Sequence, residues 1–147
     1  MQELIERLER LSQPDRALDF DIYIWLGAKP PTNNNPLYWT APDGINRHYE
    51  SLVPRYTGSV DAARSLLPWD KHPGATFKST IIQSGMRGFY CFAEFTWPST
   101  ECQGRARTEP VATCIAALLA IEKTERQLAP YKKPRAAIAP SDRGETG

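Results

Sequence analysis

The chain is poor in histidine and cysteine and has no long apolar run, and each shortage closes off a class of function. Only two histidines occur among 147 residues, His48 and His72. A metal centre or an acid–base relay built on them would need both to converge with acids or thiols. No His-x-x-x-His spacing is present, and both lie among turn-forming residues, which reads as two solvated loop positions. The three cysteines are odd in number and form no Cys-x-x-Cys pair, unlike a secreted disulfide framework. Cys91 and Cys114 sit inside apolar patterns and read as small core residues, whereas Cys102 lies in a polar stretch and reads as a free thiol in a turn. No segment approaches the roughly 20 apolar residues of a membrane span. The opening "MQELIERLERL" mixes charge with Leu and Ile, unlike a signal or transit peptide, so a cytoplasmic protein without membrane contact is expected.

Surplus charge is missing too. Eighteen Lys and Arg stand against seventeen Asp and Glu, a net charge of +1 that gives no general attraction to a polyanion. No Gly-x-Ser-x-Gly, phosphate loop or dinucleotide fingerprint occurs. The nearest piece, "SGMRG", lacks the following helix and lysine and reads as a hairpin turn. Asp15 and Asp19 are four residues apart on one helical face; acids at a helix start are favoured by the dipole, and the pair reads as solvated. With no catalytic constellation, the expectation is a protein that is not an enzyme and that takes no cofactor and no metal.

What is present is globular: 41% of residues are hydrophobic and 24% charged, in a length suited to one domain. Leu4, Ile5, Leu8 and Leu11 follow helical spacing, Gln13-Pro14 interrupts it, and Leu18, Ile22, Trp25 and Leu26 resume it up to Gly27. Residues 28–55, rich in proline and asparagine, hold no helical period. The "APDG" turn between "LYW" and "INRHY" suggests a loose hairpin or edge hairpin inside a long aromatic and polar loop. A short helix follows, capped by Thr57 or Ser59, with Val60, Ala63, Leu66 and Leu67 on its apolar face and Pro68 ending it. "ATFKSTIIQ" and "FYCFAEFTW" then alternate with period two. In the second, Phe89, Cys91, Ala93, Phe95 and Trp97 share one face, and Tyr90 and Phe92 on the other imply that helices cover both faces of the sheet. "TEPVATCIAALLAIEKTERQL" is a long helix with Thr108 as its cap and Val111, Cys114, Ile115, Leu118 and Leu119 as its buried stripe. From Pro130 the period is lost, so residues 1–129 read as one α+β domain and 130–147 as a disordered tail.

"LIERLERLSQPDRALDFDIYIWLG", "YTGSVDAARSLLP" and "EPVATCIAALLA", taken in this order, resemble the phage ABA sandwich family, small proteins of phages and prophages. The resemblance covers most of residues 2–126. It implies a three-layer helix–sheet–helix sandwich with a short antiparallel sheet, and a phage or prophage origin. It brings no catalytic residues. The 28–55 loop and the tail are where this chain departs from the family.

That loop supplies the candidate contact residues Tyr38, Trp39, Arg47, Tyr49 and Arg55, of the types enriched at binding hot spots. Trp39 has a second reading, as the inward residue of an edge strand. The expected partner is a host protein, with inhibition of a bacterial defence system as the sharpest form of the idea. Nucleic acid is the alternative. The order helix, sheet, Ala-rich helix is that of a double-stranded RNA-binding domain, and Arg105 and Arg107 precede the last helix, though Glu109 stands where such a domain has lysines. A third reading is a small-ligand binder that sequesters a nucleotide between two subunits. Fifteen aromatic residues, four of them Trp, leave a homodimer open.

Overall fold

The computed structural model describes residues 1–138 apart from 84, 86, 87 and 99, with side chains described to residue 129. Two helices open the chain, α1 (Gln2–Glu9) and α2 (Arg16–Trp25). Leu4, Ile5 and Leu8 of α1 are buried at helical spacing. Asp15 caps α2, its carboxylate accepting from the Ala17 and Leu18 amides at 2.9 and 3.3 Å. Gly27, at φ 112°, takes the chain out of the helix through a conformation that side chains resist.

Residues 28–55 form a small hairpin of β1 (Trp39–Thr40) and β2 (Arg47–His48), followed by a turn of 3-10 helix at Glu50–Leu52. Its tip closes as the "APDG" chemistry dictates. The Gly44 amide donates to the Ala41 carbonyl at 2.9 Å with Gly44 at φ 78°, and Asp43 accepts from the Ile45 and Asn46 amides. The short helix α3 (Val60–Arg64) is capped by Ser59, whose hydroxyl accepts from the Ala62 amide at 3.2 Å.

The sheet is an antiparallel meander of β3 (Thr76–Gln83), β4 (Phe89–Trp97) and β5 (Thr100–Ala106), in that spatial order. One face is buried: Cys91, Ala93, Phe95 and Trp97 from β4, with Cys102, Gly104 and Ala106 from β5. Against it lies α4 (Glu109–Ile138). Every residue from Val111 to Leu118 is buried, so this stretch of α4 is enclosed all round, with α1 and α3 packing on the remainder of its surface. Gly104 sets the helix–sheet distance. A Cβ there would overlap the Ala112 carbonyl and lie 2.8 Å from the Ala116 nitrogen.

The fold is therefore mixed α+β, four helices with a three-stranded antiparallel sheet on α4. The half-burial of Tyr90 and Phe92, which the alternation suggested to be the work of a second helical layer, comes from the sheet's own side chains. Arg105 lies over both rings, and Lys78 and Gln103 flank Glu94 beside them. Cys102 is not in a turn but in β5, facing α4 and buried. The Thr108 hydroxyl is buried with no partner among the described residues; its carbonyl, rather than its side chain, serves the helix start by accepting from the Ala112 amide. α4 continues past Pro130 to Ile138, and residues 139–147 of the expected tail lie outside the described residues. No described helix is long and apolar enough to cross a membrane.

Candidate functional site

The hairpin sorts its aromatic residues by strand parity. Trp39 pairs with His48 and Thr40 with Arg47, so neighbours along each strand point to opposite faces. Trp39 and His48 face inward. Trp39 is 3% exposed and packs on Phe20 and Tyr23 of α2, at ring separations of 5.3 and 5.7 Å. His48 accepts from the Tyr23 hydroxyl through Nε2 at 2.6 Å while its Nδ1–H donates to the Tyr49 carbonyl at 2.8 Å, which fixes the tautomer. Burial is the main cause that holds the Tyr23 phenol above its usual pKa, with Asp43 adding to it.

Tyr38, Thr40, Arg47 and Tyr49 take the outward face. The Tyr38 and Tyr49 rings lie 5.1 Å apart with their hydroxyls at 3.5 Å, and this mutual hydrogen bond raises the Tyr38 pKa. Large apolar side chains of the same segment are also exposed: Leu37, Ile45 at 81% and Leu52. Of the five candidate contact residues, three thus share one outward face; Trp39 lies in the core, and Arg55 is exposed beyond the 3-10 turn.

The hairpin is held from behind by a polar knot that sequence reasoning missed. Asp19, 2% exposed, accepts from the Thr57 amide and hydroxyl at 2.8 Å each and from Arg16 at 3.3 Å. Arg16 also donates to the Pro54 and Glu50 carbonyls, at 3.3 and 3.0 Å. Asp19 is therefore not a solvated acid but the anchor that ties α2 to the end of the loop. The only signal for it was a carboxylate placed one turn into an apolar helix face.

The remaining candidates sit elsewhere. Arg105 is on the outer sheet face, its guanidinium 5.6 and 5.8 Å from the ring centres of Tyr90 and Phe92. Arg107 is exposed in the turn before α4, and Glu109 accepts from the Ser79 hydroxyl at 2.6 Å. His72 is half-buried, not a free loop residue. It stacks on Trp97 at 4.3 Å and its Nε2–H donates to Thr124 Oγ1, whose own proton goes to the Ala120 carbonyl. Burial pushes its pKa down, against an opposing pull from Asp70.

The three cysteines are free and buried, and burial raises each thiol pKa, which suits core residues rather than nucleophiles. Among the described residues, no three His, Cys, Asp or Glu side chains gather as a metal site. A recess of about 310 Å³ lies between Leu66, Leu67 and Pro68 and the Ile121–Leu128 stretch of α4, with Asp70, Lys71 and Glu125 also on its lining. No protein family, curated protein or solved structure matches the chain.

Proposed function

We propose that the chain is a non-enzymatic accessory protein of a phage or prophage that binds a host protein in the bacterial cytoplasm, with a defence component as the class of target. The observation that carries this reading is the outward face of the β1–β2 hairpin. Tyr38, Arg47 and Tyr49 stand together there, above an inward face bolted to α2 by Trp39 and His48. A rigid platform offering tyrosine and arginine loses little entropy when it docks, and these are hot-spot residue types. The resemblance of the ordered motifs to the phage ABA sandwich family supports the phage origin. The family's helix–sheet–helix order belongs to the same proposal.

The test is affinity capture of the tagged chain from host lysate with and without nuclease. One stoichiometric, nuclease-resistant protein is expected. A second reading, nucleic-acid binding, draws on Arg105 lying beside two half-exposed aromatic rings. Glu94 and Glu101 on the same face oppose a polyanion. That reading predicts capture that is lost with nuclease, and salt-dependent binding weakened by Arg105→Ala and Arg107→Ala.

A further inference from the structure

The two edges of the three-stranded sheet are finished differently. Along β5, Lys123 of α4 donates to the Glu101 carbonyl at 3.2 Å, α1 packs beside the strand, and Glu101 and Arg105 place charges along it. These are the usual ways of blunting an edge. Along β3, among the described residues, a lone charge is the one such device. The strand pairs one-to-one with β4 over all eight residues from Thr76 to Gln83, so no bulge twists it away. It contains no proline and a single charge, Lys78, whose ammonium is drawn to Glu94 at 3.3 Å. Among the described residues, no hydrogen bond reaches its outer side, where alternate residues point their N–H and C=O groups. Two large apolar side chains stand exposed at the same end of the sheet, Ile81 at 67% and Phe89 at 66%.

We propose that this edge pairs with β3 of a second copy, antiparallel across a two-fold axis, to make a continuous six-stranded sheet. A two-fold perpendicular to the sheet keeps the α4 side of both copies on the same face, so paired residues must have the same parity. A register centred on Ser79 satisfies this. It sets Phe77 against Ile81 of the second copy, twice, on the α4 side, which is an aromatic and β-branched pair of the kind that stabilises sheets. On the outer side it sets Lys78 against Thr80 of the second copy, so the two lysines never face each other. The strand is thus self-complementary in shape, polarity and charge. This interface uses a surface separate from the hairpin face and does not depend on what that face binds.

The experiment is the solution mass of the full chain across a micromolar-to-millimolar series, by light scattering and sedimentation. Wild type should move toward twice 16.6 kDa as concentration rises. Ile81→Lys and Thr80→Lys, both at exposed positions, should stay monomeric with the wild-type circular dichroism spectrum and melting temperature; the second sets lysine against Lys78 of the other copy. Ile45→Lys, on the hairpin, should dimerise as wild type does. The proposal is overturned if wild type stays monomeric throughout, or if the dimer persists in both β3 variants. It is equally overturned if β3 amides gain exchange protection only when a different protein or peptide is added, since the occupant is then a partner's strand.

Discussion

Replacing Gly104 by alanine adds one methyl group at the closest approach between α4 and the sheet. The new Cβ would overlap the Ala112 carbonyl and lie 2.8 Å from the Ala116 nitrogen and 3.0 Å from Ile115 Cβ. Two of these are backbone atoms of an enclosed helix, so no side chain can swing aside. The helix must instead lift from β5 by several tenths of an ångström. A gap of that size forfeits about a quarter to a half of each contact it opens, here along Cys102, Ala106 and Ala93. Overpacking a core costs about 1–3 kcal/mol and sometimes more, and the backbone clash places this case at the upper end, about 3 kcal/mol. For a chain of this size that corresponds to a fall of roughly 10 °C in melting temperature. Thermal unfolding followed by far-ultraviolet circular dichroism reads it directly. Gly74→Ala is the control, because a Cβ there meets nothing within 4 Å. If both variants melt with wild type, α4 does not sit where the fold places it.

Other perturbations probe the parts that hold the hairpin and the sheet. Asp19→Ala leaves the Thr57 amide and the Arg16 guanidinium without their buried acceptor and should cost about 3 kcal/mol in chemical denaturation; a loss below about 1 kcal/mol would mean the knot is not formed. His72 has its pKa depressed by burial, so the fold favours the neutral ring. Its stabilising contribution is complete above the unfolded-state pKa near 6.5 and is lost as pH falls through that value toward the lower folded-state one. The melting temperature should therefore drop between about pH 7 and pH 5, and His72→Gln should flatten that slope; equal slopes would remove His72 from the account.

Where large side chains alternate, the sequence could be read. β4 was plain because Cys91, Ala93, Phe95 and Trp97 fill every second position, and the "APDG" turn followed from residues that act on their own backbone. β5 carries no such signal, because its inward residues are Cys102, Gly104 and Ala106. Their small size is a consequence of the close approach of α4, which no window of sequence contains. α4 read as a stripe for a related reason: its alanines look neutral on a helical wheel, yet Ala112, Ala116 and Ala117 are enclosed by the sheet and the other helices. The burial of Asp19 leaves no local mark, because its partner Thr57 lies 38 residues away. Within the hairpin the residue types were legible but not their direction; strand parity sends Trp39 inward and leaves Tyr38, Arg47 and Tyr49 outside.

The most direct test of the hairpin face compares wild type with an Arg47→Glu, Tyr49→Ala double variant in the same nuclease-treated capture. Both substitutions are at exposed positions, so the variant should keep the wild-type spectrum and melting temperature while the captured host protein disappears. Capture that survives in the folded double variant would contradict the assignment of this face, and a double variant that fails to fold would place these side chains in the core.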